Sequence, residues 1–178
     1  MDSYAYNKYD SLPLYSYNCI SYLVDNNEDI WKILKYSDAD CWDKPDLTRA
    51  EKTALIYKGE PDESVFKVFM DEGQVDAFVS ETALLRIFPY AIFPDNRTVG
   101  TVTMAFDIYS HYRVNHMSNY QTRVDTMSQI ILKVFNGTDI GGLGKLFFNI
   151  MGDKQLREYP SGQIPYKGKR ISMATKAG

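Results

Sequence analysis

The sequence predicts a single α+β domain in which helices flank a mostly antiparallel β-sheet. The chain has 178 residues, a length that normally forms one domain. Apolar residues recur at helical spacing near the start and after residue 118, whereas the segments between them show the period of two that is typical of strands. The predicted order is helices, a long loop, three strands, one helix and two strands, which indicates an α+β fold. We see no internal repeat and no domain boundary within residues 1–178.

Composition limits the classes of function. Hydrophobic residues make up 44% and charged residues 24%, as in ordinary globular proteins, and the net charge of −3 gives no overall attraction to nucleic acid or anionic membrane. Cys19 and Cys41 form no CxxC pair, so we expect synthesis in a reducing cytoplasm. The first residues lack the basic start and apolar run of a signal peptide, and no apolar stretch is long enough to span a bilayer.

Residues 1–12 are predicted to form an extended arm. Six of the 14 tyrosines fall within the first 22 residues. Tyrosine suits surfaces that are half-buried against a partner, so Tyr4, Tyr6 and Tyr9 are candidates for contacts with another subunit. An arm that packs on its own domain explains them equally well.

Residues 13–36 are predicted to be helical, and 37–64 to be an acidic loop. Tyr17, Ile20, Leu23 and Val24 share one helical face, and Asn26 or Asn27 is placed to cap a second helical piece. The loop contains Trp42 and one short helix from about Thr48 to Tyr57. Because a connection of this length is usually functional or ordered by contacts, we expect it to touch neighbouring subunits.

Strands are predicted over residues 65–114. Pro89 and Pro94 restrict the segment "TALLRIFPYAIFP" to an edge, bulge or bend. The next segment, "VGTVTMAFDIYSHYRV", alternates as one long strand with a core face and a polar face. The predicted core face comprises Val102, Met104, Phe106, Ile108, Tyr112 and Val114. The predicted polar face comprises Thr101, Thr103, Asp107, Tyr109, His111 and Arg113.

A helix over residues 118–136 and strands over 142–176 complete the prediction. Ser118 and Gln121 have the spacing of a capping box, and Asn136–Gly137 is a favourable helix end.

No catalytic, cofactor-binding or metal-ligating residue is predicted, and we expect a protein that is not an enzyme. Asp107 and His111 lie roughly 13 Å apart along the predicted strand, too far for a direct acid–base pair. His111 and His116 lack the HExxH or cysteine partners of a metal site. The glycines of "NGTDIGGLGKL" lack the spacing of a phosphate-binding loop, and "SDADCWDKPD" lacks the central glycine and closing glutamate of a calcium loop.

Basic residues near the end of the sequence oppose the acidic loop. Lys167, Lys169, Arg170 and Lys176 lie in the last predicted strand. They are suited to meet a neighbour's acidic loop, to protect an exposed strand edge, or to face a DNA channel. The sequence leaves these alternatives open.

The segments "VTMAFDIYSHY", "NYQTRVDTM" and "FNGTDIGGLGKLFF" occur in succession. This pattern resembles the neck proteins of tailed bacteriophages, in particular the tail terminator or head–tail joining (connector) family. Over about residues 80–150, Phe106, Asp107 and His111 match its strand, and the helix end and glycine turn match at the following residues: Phe135, Asn136, Gly137, Gly142, Leu143 and Gly144. The segment 37–64 and the tyrosine-rich arm exceed what a minimal terminator needs, which leaves the layer of the neck open.

The resemblance implies a tail-terminator-like sheet flanked by helices that assembles into a six-fold or twelve-fold ring around the DNA channel, with no cofactor. We therefore expect a virion structural protein, made in the bacterial cytoplasm, whose partners are its own copies and neighbouring portal, connector and tail proteins. DNA is expected only as the content of the channel, and no membrane is involved. The alternative is a soluble, non-enzymatic interaction domain that is a monomer or dimer. Candidate interaction residues are Tyr4, Tyr6, Tyr9, Trp42, Asp107, His111, Arg113, Lys167, Lys169 and Arg170.

Overall fold

An α+β architecture with a mostly antiparallel sheet is confirmed by the computed structural model. It describes residues 9–71, 80–94, 100–148, 156–159 and 165–177. Tyr4 and Tyr6 lie outside these ranges, as does most of the predicted arm. Residues 9–12, which were predicted to be extended, belong instead to a 3₁₀ helix over Tyr9–Leu14.

The helices lie where the sequence predicted them, with shifted ends. They are α1 (Tyr15–Asn26), α2 (Asp29–Lys35), α3 (Arg49–Ala54) and α4 (Arg123–Phe135), with a second 3₁₀ helix at Cys41–Asp43. Asn27 accepts a hydrogen bond from the backbone N–H of Ile30 at 2.9 Å, which is the predicted capping role at α2. Thr48 and Glu51 form a capping box at the start of α3, so this helix is fixed locally by its own first turn.

Long strands β2, β3 and β8 form the centre of the sheet. The strands are β1 (Val68–Phe69), β2 (Ala83–Pro94), β3 (Gly100–His111), β4 (Asp139–Ile140), β5 (Gly144–Lys145), β6 (Phe147–Phe148), β7 (Leu156–Tyr159) and β8 (Tyr166–Ala177). Their order is β1-β2-β3-β8-β6, and β7 also pairs with β8. Among the described strands the β1–β2 pairing is parallel and the other pairings are antiparallel, and β4 and β5 form a separate two-stranded ribbon. A bulge in β2 between Pro89 and Ala91 agrees with the restriction predicted from the prolines.

The main core lies between the helices and one face of the sheet, here called the first face. Leu85, Ile87 and Phe106 of the strands pack there with Leu23 of α1 and Phe135 of α4. The rings of Phe106 and Phe135 have centroids 4.8 Å apart. This packing fixes the direction of α4 across the sheet, from the His111 end of β3 towards its middle.

The opposite face, called the second face, is buried as well, and here the prediction of a polar surface along β3 is wrong. Phe69, Leu84 and Tyr166 form a second apolar cluster, against which Tyr109 packs. Thr101, Thr103 and His111 are buried, and Asp107 is 0% exposed. Alternation in the sequence reports which residues share a face, but it cannot report what covers that face.

Two further predictions along the first face are corrected. Tyr17 is 58% exposed, and α1 instead buries Tyr15 in addition to Ile20, Leu23 and Val24. Tyr112 lies beyond the end of β3 and is 52% exposed, so it does not belong to the core. Both errors place a tyrosine ring in the core where the structure leaves it on the surface.

The helix that was predicted from Ser118 begins five residues later. His116 and Thr122 form an antiparallel bridge, and the backbone N–H of Met117 donates to the carbonyl of Gln121 at 3.0 Å. The hydroxyl of Thr122 then accepts from the backbone N–H of Asp125 at 3.2 Å and caps α4. Residues 116–122 therefore form a hairpin, called the tip hairpin below, which projects from the His111 end of the sheet.

Candidate interaction surface

Asp107 and Arg170 were both predicted as candidate interaction residues, and the structure pairs them within one chain. Nε and Nη2 of Arg170 donate to the two carboxylate oxygens of Asp107 at 2.6 and 2.7 Å. The guanidinium also lies over two rings of β2, with its carbon 4.7 Å from the centroid of Tyr90 and 5.4 Å from that of Phe88. A bidentate pair that is stacked in this way is held in one geometry.

Neighbouring strands continue this polar row across the second face. Asp107 on β3 lies in register with Arg86 on β2 and with Arg170 on β8. Nε of Arg86 donates to the carbonyl of Asp71 at 3.0 Å. The register thus gathers residues that are far apart in the sequence, a placement that no local motif signals.

His111 and Arg113 differ in burial. The His111 ring is buried edge-on to Tyr166, and its Nδ1 accepts from the backbone N–H of Arg113 at 3.3 Å. Burial, together with the negative charge of Glu81, raises the pKa of Tyr166 to about 12. Arg113 stays exposed and forms an ion pair with Glu81. Arg113 is therefore available to a partner, whereas His111 is covered by its own chain.

Lys169 and Lys167 lie on the first face of β8, near the start of α4. Nζ of Lys169 lies 2.5 Å from a carboxylate oxygen of Asp125, and this hydrogen bond, with that of Thr122, holds the pKa of Asp125 below its ordinary value. The side chain of Lys167 is exposed. Of the three basic residues of β8 that were predicted as candidate interaction residues, Lys169 and Arg170 are thus engaged within the chain.

The acidic segment 37–64 is likewise tied to its own helices. Lys44 lies 3.3 Å from Asp38 and 3.4 Å from Asp40, and Lys32 of α2 lies 2.6 Å from Asp46. Further along, Lys52 is buried and lies 2.6 Å from Glu28 while it donates to the carbonyl of Val24 at 3.1 Å. These pairs order the predicted loop internally.

Trp42 is partly buried against the main core and does not project as a free anchor. Its indole N–H is buried and has no hydrogen-bond partner among the residues that the structure describes. A buried donor without an acceptor costs about 1–3 kcal/mol. The prediction that Trp42 contacts a neighbour stays a prediction.

Arg123 is a structurally important residue that the sequence analysis did not single out. It is 0% exposed, and its guanidinium donates to the carbonyls of Val114, Ile33, Tyr36 and Asp38 at 2.5–2.8 Å. Burial lowers its pKa, although these carbonyls satisfy its donors. The residue joins the end of α2 to the start of α4. An arginine at the first position of an amphipathic helix carries no sequence signal for such a role.

Large apolar side chains are exposed at two opposite ends of the sheet. At the groove end, which is the Gly100 end of β3, the exposed residues are Leu14, Tyr17, Tyr90, Ile92 and Phe93. An open groove of about 500 Å³ lies there, lined by Leu12, Pro13, Ser16, Met70, Pro89, Tyr90, Ala91 and Ile92. At the tip end, beyond His111, Tyr112 is 52% exposed and Tyr120 is 100% exposed.

Two further properties concern the described residues as a whole. Within the described ranges, no group of three or more histidine, cysteine, aspartate and glutamate side chains is placed to hold a metal ion. In the same parts of the chain, no helix is both long and apolar enough to cross a bilayer.

Comparison with family models identifies a relationship over most of the chain. The model of the YomW family matches residues 27–174. The chain belongs to the YomW family. YomW is the name of a phage-derived Bacillus protein, so this chain is a phage-related protein. Neither the curated proteins nor the solved structures gave a match.

The YomW-family match extends well beyond the segment that resembles phage neck proteins. It includes α2, the acidic segment, β2, β3 and most of β8. In this YomW-family chain, the predicted interaction residues differ in exposure. Asp107 and His111 are buried and Arg170 is paired with Asp107, whereas Arg113 and Lys167 are exposed.

Proposed function

We propose that this YomW-family chain is a virion structural protein of a tailed phage and forms an oligomeric ring at the head–tail neck around the DNA channel. Its partners are further copies of itself and the adjoining portal, connector and tail proteins. DNA passes through the ring, and the ring does not recognise any particular DNA sequence.

The observation that carries this proposal is the placement of exposed apolar side chains at both ends of the sheet. Leu14, Tyr17, Tyr90, Ile92 and Phe93 mark one end, and Tyr112 and Tyr120 mark the other. Surfaces of different composition at opposite ends favour head-to-tail contacts between identical subunits, and such contacts close into rings. Exposed aromatic residues of this kind supply much of the energy of protein interfaces.

The use of charged residues also supports a mechanical role. The carboxylate of Asp107 is bound on both oxygens by Arg170, and Lys52 is bound by Glu28 and the carbonyl of Val24. Buried groups that are paired in this way stabilise one geometry. The proposed mechanism is therefore assembly, without a reaction step.

Deletion of the gene from a phage that encodes this chain tests the proposal. We expect the mutant lysate to contain heads and tails that fail to form stable joined particles, and expression of the chain in the host to restore joining. Negative-stain electron microscopy provides the count of joined and separate parts. Normal joined particles from the deletion mutant, with full infectivity, would contradict a neck function and would favour the alternative of an accessory interaction domain.

A further inference from the structure

The tip hairpin presents one tyrosine in an unusual conformation. Tyr120 is 100% exposed, and its φ of 63° is the positive value that non-glycine residues rarely adopt. Its backbone N–H donates to the carbonyl of Met117 at 3.1 Å, and the side chain of Asn119 accepts from the N–H of Gln121 at 3.1 Å. The backbone N–H of Ser118 donates to the carbonyl of Ala39 at 2.9 Å, which ties the hairpin to the body of the protein.

An exposed aromatic residue on a backbone that is fixed in this way is a preorganised anchor. Holding tyrosine at positive φ is unfavourable for the isolated chain, by an amount on the order of 1 kcal/mol. The ring makes no compensating packing contact in its own chain, because the whole residue is exposed. Since little further ordering is needed on binding, such a side chain contributes strongly to an interface.

The groove at the opposite end has the complementary properties. The described residues of its lining are predominantly apolar and none of them is charged, with Leu12 and Pro13 on one wall and Pro89 and Ile92 on the other. The tip hairpin, residues 116–122, likewise carries no formal charge when His116 is neutral. With about 500 Å³ of space, the groove is large enough to admit a phenol ring.

The two features cannot meet within one chain. Ile92 of the groove is paired with Val102, near the start of β3, whereas the tip hairpin lies beyond His111 at the other end. The strand between Val102 and His111 separates them by about 30 Å at roughly 3.4 Å per residue. A contact between them therefore joins two copies head to tail, which is the heterologous geometry that generates rings.

We propose that Tyr120 of one copy inserts into the apolar groove of the next copy. This inference rests on the proposed self-assembly and names the contact that produces it. A tyrosine buries about 200 Å², whereas a stable interface buries about 800 Å² on each partner. Tyr17, which follows the groove-lining Ser16 in α1, and Tyr112 near the tip supply further apolar area to the same interface.

Cysteine cross-linking between two singly substituted proteins tests the contact directly. Tyr120→Cys in one preparation and Ala91→Cys in the other are expected to form a disulfide-linked dimer when mixed and oxidised. Each preparation oxidised alone is expected to give much less of the disulfide-linked dimer. The natural Cys19 and Cys41 are buried and do not compete. Val65→Cys, at another exposed apolar position, is the matched control for Tyr120→Cys. No cross-link above this control would overturn the contact.

Tyr120→Gly separates assembly from folding, because glycine adopts positive φ without strain. We expect this variant to unfold at the same or a higher temperature, while the dissociation constant of the oligomer rises about tenfold or more. Tyr120→Phe keeps the ring and should assemble, and Val65→Ala should have no effect. Light scattering and analytical ultracentrifugation give the oligomer size.

The outcomes distinguish this contact from the ring function. If Tyr120→Gly forms rings of the same size and stability as those of the wild type, the contact is overturned and the neck function is unaffected. A wild-type chain that stays monomeric at every attainable concentration would also overturn it, whereas the gene-deletion phenotype tests the neck function independently. Loss of assembly in Tyr120→Gly, with retention in Tyr120→Phe, supports the insertion.

Discussion

Asp107 and Arg170 form a bidentate ion pair across the two central strands, with nitrogen–oxygen distances of 2.6 and 2.7 Å. The carboxylate is 0% exposed, and the guanidinium is stacked over Tyr90 and Phe88. The sheet therefore contains a polar centre on its second face, between the cluster around Phe69 and the groove end.

Loss of one partner of this pair is expected to be strongly destabilising. Asp107→Leu removes both hydrogen bonds that the Asp107 carboxylate accepts from Arg170, and breaking a largely buried ion pair from one side costs about 3–5 kcal/mol. The double variant Asp107→Leu/Arg170→Met removes both charges and should recover a large part of that loss. Urea unfolding followed by circular dichroism measures the free energy of unfolding of each variant.

Asp139→Asn is the matched control for this pair, because Asp139 is an exposed strand residue. Its free energy of unfolding should stay within about 0.5 kcal/mol of the wild type. A single Asp107 variant no less stable than this control would refute a structural role for the pair.

Arg123 is expected to be essential for the junction between α2 and α4. Arg123→Met removes four carbonyl contacts and leaves these acceptors unsatisfied, at a cost of about 2–4 kcal/mol. Arg123→Lys should restore only part of the stability, because an ammonium group cannot reproduce the planar fork. Thermal and urea unfolding provide the comparison.

Arg49→Met is the control that tests whether replacing an exposed arginine destabilises the protein as much as replacing Arg123. Arg49 pairs with Asp25 at 2.7 Å, but the two side chains are 70% and 46% exposed. Solvent screens such pairs, and we expect a loss below about 1 kcal/mol. Equal destabilisation by Arg49→Met and Arg123→Met would contradict the assigned role of Arg123.

Both cysteines are expected to resist thiol reagents in the native protein. Burial raises the pKa of Cys19 to about 12 and also raises that of Cys41, where nearby Arg123 partly opposes the effect. Because the thiolate is the reactive form, labelling by Ellman's reagent should be slow at neutral pH and complete within minutes in denaturant. Fast native labelling of either thiol would show that its helix is less protected than described.

The pair of Asp125 and Lys169 predicts a dependence of stability on acid pH. Because the pKa of Asp125 is lower in the folded than in the unfolded chain, its contribution is complete above the unfolded value of about 3.9. The contribution is lost as the pH falls through the lower folded pKa. Asp125→Asn should therefore be less stable than the wild type at neutral pH, by up to about 1 kcal/mol for a half-exposed carboxylate, and equally stable near pH 2. A difference that grows on acidification would contradict this assignment.

Local patterns predicted the elements of the fold and failed where distant segments decide the outcome. The alternation along β3 correctly grouped Val102, Met104, Phe106 and Ile108 on the core face. It could not show that Asp107 is covered, because its partner Arg170 lies 63 residues away in the sequence. The start of α4 was predicted too early. Ser118 and Gln121 have capping-box spacing, but the hydroxyl of Thr122 caps the helix, and the bridge between His116 and Thr122 places the preceding residues in a hairpin.

The interaction surface was predictable only in part. Arg113 and Lys167 were named from the sequence and are exposed. Tyr120 was predicted to lie inside a helix, and its exposure follows from the hairpin that replaces the first turns of that helix. The groove joins residues of the first 3₁₀ helix to the bulge of β2, segments whose proximity depends on the whole sheet.

The central claim is that identical copies of this chain form a ring in the neck of a phage particle. The most direct test is cryo-electron microscopy of purified virions, with quantitative mass spectrometry to count the copies of the chain in each particle. The account predicts a closed ring of several identical subunits between head and tail, with density for this fold in every subunit. Absence of the chain from purified particles, or a single copy away from the neck, would contradict it.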